Sequence, residues 1–136
     1  MAQVPPEALD ALAREITERL EAVVPAGASP EAGITGVRSK LEALVNQPGG
    51  GLRDNVLIAA HAILSHVQDE IARDLKTGWP RPAGGVAGTR NRGEDLPWGE
   101  AEISSGMLRL WYGEKDNAAL ELPPISLQML EGYGRV

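Results

Sequence analysis

The chain of 136 residues contains no cysteine and no phenylalanine. Without cysteine, a disulfide, a thiolate nucleophile and a thiolate-held metal cluster are all excluded. The only aromatic residues are Trp79, Trp98, Trp111, Tyr112 and Tyr133, so the core has to be built mainly from Leu, Val, Ile and Ala. Long apolar runs are missing too. The longest, Val56 to Ala60, is far short of the roughly 20 residues a membrane-spanning helix needs. The opening "MAQVPPEALD" has no basic stretch followed by an apolar one, so it does not read as a secretory signal.

What is present describes one folded domain. Hydrophobic residues make up 43% and charged residues 24%, enough apolar material for a core in a chain of this length. Thirteen basic against nineteen acidic residues leave a net charge of −6, which opposes a general affinity for nucleic acid or anionic lipid.

Periodicity divides the chain. In "EALDALAREITERLEAVV", Leu9, Leu12, Ile16, Leu20 and Val23 recur at the three-and-four spacing of one helical face, and Pro25 closes the run, predicting a helix over about 7–24. Ser29, Pro30 and Glu31 then offer a cap, a first-turn proline and a first-turn acid. Ile34, Val37, Leu41, Leu44 and Val45 follow, predicting a helix over about 34–46 whose start is weakened by Gly33 and Gly36, each by about 1 kcal/mol relative to alanine. After Pro48 and three glycines, "LRDNVLIAAHAILSHVQDEIARDLKTG" predicts the central core helix over about 52–77. Its inward face is Val56, Ala60, Ile63, Leu64, Val67, Ile71 and Leu75, and Gly78 takes the left-handed cap position. From Arg81 to Gly93 there is no period, and 80–97 is expected as a loop or arm. The period then becomes two: "AEIS", a Ser105-Gly106 turn, "MLRLWY", a turn at "GEKDN" and "AALEL". With a short addition at Ile125 to Leu127 they predict an antiparallel β-meander over about 101–127, followed by a tail, 128–136. The expected fold is α+β: a three-helix N-terminal bundle packed against a small three-stranded antiparallel meander.

Signatures of catalysis are weak throughout. Both histidines lie in "HAILSHVQDE", five residues apart, and on a regular helix they diverge by about 140°. A zinc pair would need them four apart with Glu directly after the first, and Ala62 follows His61. His61 therefore reads as a boundary residue of the core, and His66 as a solvated one beside Asp69, Glu70 and Arg73; a metal-dependent enzyme centred on either is a third reading. "PGGGLRDN" sets glycines before a helix, as an anion loop would, but no Lys-Ser or Lys-Thr follows and no strand precedes it. Glu94, Asp95, Glu100 and Glu102 lack the ligand order of a calcium loop. No cofactor and no metal is called for, and the protein is expected to act by binding, not as an enzyme.

Binding chemistry concentrates around the loop. Arg81, Arg90 and Arg92 gather positive charge in an otherwise acidic chain, and Trp79 and Trp98 flank them in "GWPRP" and "LPWGE". The simplest reading has both tryptophans clamping the loop ends against the core. If Trp98 or Trp111 is exposed on the sheet instead, it becomes an interface anchor, since Trp and Arg dominate interface energetics. The alternative function is a small regulator whose Arg81, Arg90 and Arg92 contact nucleic-acid phosphates. No aromatic is interleaved between Arg81 and Gly93 to stack bases.

The run from "HVQDEIARDLKTGWP" to "PWGEAEISSGMLRLWYGEKDNAALELPPISL" is a helix ending in Trp-Pro, a loop, then a hairpin closing on Leu-Pro-Pro-Ile. This C-terminal half resembles small uncharacterised proteins of actinobacteria and their phages. The resemblance implies an accessory component of virion neck (head–tail) or assembly type, working through contacts with other protein subunits, its own copies or different ones. Its expected location is the cytoplasm or the virion. No site residue is implied by the resemblance; the interface candidates from the residues themselves are Trp79, Arg81, Arg90, Arg92, Trp98 and Trp111.

Overall fold

The computed structural model describes residues 3–28, 34–76, 78–80, 98–115 and 117–136. Among them the chain is α+β, with three α-helices and an antiparallel sheet. Helix α1, Pro6–Glu21, starts on Pro6, whose missing N–H is one the first turn leaves unpaired in any case. Leu9, Leu12, Ile16 and Leu20 are buried as their spacing requires, with Ala8 and Ala13 widening the face. The helix stops three residues short of the expected Val24, because Pro25 disfavours helical geometry in the residue before it. A 3-10 turn at Ile34–Gly36 leads into α2, Val37–Val45, so the glycine-weakened start is not α-helical. The proposed cap of Ser29, Pro30 and Glu31 lies outside the described residues.

Helix α3, Leu52–Leu75, buries Val56, Ala60, Ile63, Leu64, Val67 and Ile71, and adds Leu52, Asn55, Ala59 and Gln68. It packs against α2 on one side and against the first strand on the other. Its end differs from expectation: Lys76, not Gly78, takes the left-handed position with φ 58°. Left-handed backbone in a lysine costs about 1 kcal/mol. The early turn carries Trp79 into the core, edge-on against Tyr112 with ring centroids 5.3 Å apart, and burying an indole outweighs that cost.

The sheet has four strands: β1 (Gly99–Ser104), β2 (Met107–Glu114), β3 (Asn117–Glu121) and the two-residue β4 (Ile125–Ser126). Ser105 and Gly106 both have positive φ, 53° and 75°, the backbone a two-residue hairpin needs to match strand twist. The β1–β2 register follows from that turn, with Ser104 opposite Met107 and Glu102 opposite Arg109. Strand β2 is longer than expected and runs through Gly113 and Glu114, with a register shift between Tyr112 and Gly113. Strands β3 and β4 lie along the same edge of β2, separated by Pro123 and Pro124. Neither proline can donate to a ladder. Their carbonyls instead accept hydrogen bonds from Arg19 of α1, Nε to Pro123 at 2.9 Å and Nη2 to Pro124 at 2.9 Å. At the opposite edge, the outward carbonyls of β1 are covered by α3: Arg53 Nη2 donates to Ile103 O at 2.6 Å, and His61 Nδ1 lies 3.2 Å from Gly99 O. Helical side chains thus occupy the β1 edge, which would otherwise template unwanted strand pairing, and the proline break between β3 and β4.

The core lies between the helices and one sheet face, where Ile103, Leu108, Leu110, Tyr112, Leu122 and Ile125 point. The expected tail is part of it. Gln128–Leu130 forms a 3-10 turn that packs on α1 with Leu130 fully buried, and Tyr133 and Val136 rest against the cluster. No helix among the described residues is long and apolar enough to cross a membrane.

Tyr112 ties sheet to helix, its hydroxyl donating to Leu64 O at 2.6 Å. Burial first, and then the negative charge of Asp69, hold that hydroxyl neutral well above the ordinary tyrosine value of 10.0. The contribution is therefore complete below about pH 10 and is lost as pH rises above it, where the unfolded chain releases this proton and the folded one keeps it. Tyr112→Phe is expected to cost about 1 kcal/mol at neutral pH and to make stability fall less steeply above about pH 10. Denaturant titrations across pH 8 to 11 check this; an unchanged alkaline slope in the variant would contradict it.

Candidate interaction face on the sheet

Strand alternation gives the sheet two unlike faces. Gly99, Ala101 and Ile103 turn toward α3, so Glu100, Glu102 and Ser104 lie on the other side, opposite Trp111, Arg109 and Met107 of β2. Glu121 of β3 is opposite Trp111 on the far side of β2. The ladder continues one step beyond β1, where Gly113 N donates to Trp98 O at 2.9 Å. Alternation therefore places Trp98 on this outer face, cross-strand from a glycine.

The centre of the face is a closed network. Arg109 donates through Nη2 to Glu121 at 2.9 Å and through Nη1 to Glu102 at 3.4 Å, and its guanidinium sits 5.4 Å from the centroid of the Trp111 ring. Lys115 Nζ donates to Glu102 Oε1 at 2.6 Å. That hydrogen bond first, aided by the charges of Lys115 and Arg109, holds the Glu102 carboxyl below its ordinary range. Its contribution is in place at neutral pH and is lost as pH falls through the carboxylate range. Trp111 is only 6% exposed yet stands apart from the main core, with Nε1 donating to Gly113 O at 3.1 Å.

At the rim of this network Trp98 is 61% exposed. With Ile58 it makes up the exposed large hydrophobics among the described residues. An indole left in water beside an ordered ion network is the side chain type that anchors interfaces.

Trp98 and Trp111 thus share the outer face, whereas Trp79 does not belong with them. It is 8% exposed and meets Tyr112 edge-on within the core. Of the two tryptophans expected to clamp the loop, Trp79 is buried and Trp98 is not. Arg81, Arg90 and Arg92, the loop from 81 to 97, and Glu94 and Asp95 lie outside the described residues. Glu100 and Glu102 are on the outer face, and Glu102 is engaged by two cations rather than open to a metal.

The histidines are apart and differently placed. His61 contacts the Gly99 carbonyl, as a boundary residue would. His66 of α3 is half-buried and approaches the turn before α2, where the position of a Gly36 Cβ falls 3.9 Å from its ring, so it is less solvated than its spacing suggested. Among the described residues, no group of three His, Cys, Asp or Glu side chains could hold a metal ion. The glycine turn before α3 borders a cavity of about 310 Å³ lined by Val4, Val45, Asn46, Leu52 and Tyr133. Two of its polar side chains are already engaged: Asn46 bonds both backbone groups of Val4, and Asn55 bonds the Val45 and Gln47 carbonyls.

Sequence reasoning missed Arg109, Lys115 and Glu121. The signal was available for Arg109: once Ser105-Gly106 is the turn, counting outward sets Glu102 opposite Arg109 and Glu100 opposite Trp111. No protein-family model matches the chain, and no curated protein or solved structure matches it either.

Proposed function

We propose that the protein is a non-enzymatic assembly component that joins protein subunits through the outer face of its sheet, with Trp98 as the anchor. The observation that carries this reading is the 61% exposure of Trp98 beside the ordered Arg109–Trp111–Glu121 group. The side chains around the indole already fix one another, so they lose little conformational entropy on docking. Among the described residues, Glu100, Glu102 and Glu121 outnumber Arg109 and Lys115 on this face, which favours a protein partner over phosphate. The resemblance of the C-terminal half to small actinobacterial and actinophage proteins makes a head–tail joint of a virion the assembly to test first.

Native mass spectrometry of the chain, alone and with the products of neighbouring genes, checks the reading. A complex is expected that Trp98→Ala weakens by about tenfold or more while its circular dichroism and melting stay unchanged. Assembly indifferent to Trp98→Ala, or a monomer under every mixture, would overturn it.

A further inference from the structure

We infer that Trp98 and Glu100 together form a receptor for a cationic side chain, arginine before lysine, presented by a basic segment of the protein partner. The inference rests on the assembly reading and names the chemistry of the partner. Its warrant is a comparison within the same face. Trp111 already has its cation: Arg109 lies 5.4 Å from the ring centroid, held by the carboxylates of Glu121 and Glu102. Trp98 shares Glu100 with it as a neighbour on this face, and among the described residues no cation lies over its ring. Glu100 is two residues along the strand on the same face and directly opposite Trp111, so the register sets it next to both tryptophans.

Among the described residues Glu100 has no cationic partner, whereas Glu102 has Lys115 and Arg109, and Glu121 has Arg109. Arg109 and Lys115, the cations on the face among the described residues, are both committed to these carboxylates. What remains outward is one indole, 61% exposed, and one half-buried carboxylate. A hydrophobic partner would leave that carboxylate desolvated and unpaired, and an acidic one would repel it. A guanidinium satisfies both groups, stacking on the ring and donating to the carboxylate, and does so better than an ammonium because it is planar and less strongly hydrated. The net charge of −6 adds a long-range attraction for a basic segment.

The test uses the full chain and a blocked peptide alternating glycine with arginine, alongside lysine and glutamate versions. Binding is followed by the indole N–H signals in NMR, with the Trp98 signal identified by its loss in Trp98→Ala. The arginine peptide is expected to shift that signal at low salt. Affinity should drop about tenfold in Trp98→Ala and about threefold in Glu100→Gln, and should weaken as ionic strength rises to about 0.3 M. The lysine peptide should bind more weakly and the glutamate peptide not at all. Equal binding to both variants, binding of the glutamate peptide, or a shift of the Trp98 signal with single-stranded DNA in place of the peptide overturns the inference. If Trp98→Ala disrupts assembly while Glu100→Gln and the arginine peptide do nothing to it, the assembly reading stands and this one falls. If assembly ignores Trp98→Ala as well, both fall.

Discussion

Gly99→Ala is expected to destabilise the protein by about 3 kcal/mol, although alanine is ordinarily the better residue in a strand by roughly 0.5–1 kcal/mol. The reversal of sign comes from where Gly99 sits. A Cβ placed there falls 2.6 Å from Leu64 Cβ, 3.3 Å from Leu64 Cδ1 and 3.4 Å from Tyr112 Cε1. The first of these contacts cannot be relieved by a rotamer change, because the Cβ of Leu64 moves only with the backbone of α3. Strand and helix therefore have to separate. Separation acts on two further links across the same gap, the Tyr112 hydroxyl on Leu64 O at 2.6 Å and His61 beside Gly99 O at 3.2 Å. Overpacking by one methyl costs about 1–3 kcal/mol, and each strained hydrogen bond adds about 1 kcal/mol. For a domain of this size the loss lowers the melting temperature by roughly 10 °C. Thermal and denaturant melts give the number. A Gly99→Ala variant as stable as the parent would mean that β1 is not seated on α3 as described.

The α3 face from Val56 to Ile71 was legible in sequence because one period, sustained over several turns, points the same residues inward whatever they pack against. The β1–β2 hairpin was legible for a related reason: a two-residue turn with positive φ fixes register, and register fixes faces. Where order depends on contacts between distant segments, the sequence is silent. Leu130 belongs to a three-residue turn with no period of its own, and its burial comes from α1, more than a hundred residues earlier. Arg19 looks like half of an (i, i+4) pair with Glu15, and it is, but its other contacts are the Pro123 and Pro124 carbonyls.

The candidate site divides along the same line. Trp79 and Trp98 have nearly identical local surroundings, each beside proline and glycine, and no local rule separates the one in the core from the one in water. Strand parity does separate Trp98 from the core, once Gly99 is seen to face α3. That step depends on a close approach between helix and strand, which composition does not reveal. The charge network around Trp111 shows the opposite case. Its Glu102–Arg109 pair follows from the turn alone, so half the site is written in the hairpin and half in the packing beneath it.

Asn55→Asp tests the packing that sequence cannot show, at almost no change in shape. Asn55 is the fourth residue of α3, a position where an acid on an exposed helix gains about 0.3–1 kcal/mol from the helix dipole. Here it is 6% exposed, and its amide nitrogen donates to Val45 O and to Gln47 O, each at 2.9 Å. Those carbonyls belong to the end of α2 and the residue beyond its cap, so one side chain from α3 satisfies the close of the preceding helix and fixes the turn through Pro48 and the three glycines. An aspartate keeps the volume, loses both donors and sets a negative oxygen against two carbonyl oxygens. Losing two buried hydrogen bonds costs about 2 kcal/mol, and desolvating the charge adds at least as much, which outweighs the dipole. The variant is expected to be less stable than the parent by about 3–4 kcal/mol at pH 7. Burial and the facing carbonyls raise the folded-state pKa of the new carboxyl above its unfolded value. The deficit should therefore shrink as pH falls through about 5 to 4, where the protonated group can donate to one carbonyl again. Urea titrations of parent and variant at pH 7 and pH 4.5 read both quantities. A deficit below about 1 kcal/mol, or one that does not narrow with acid, would show that Asn55 does not hold α2 to α3.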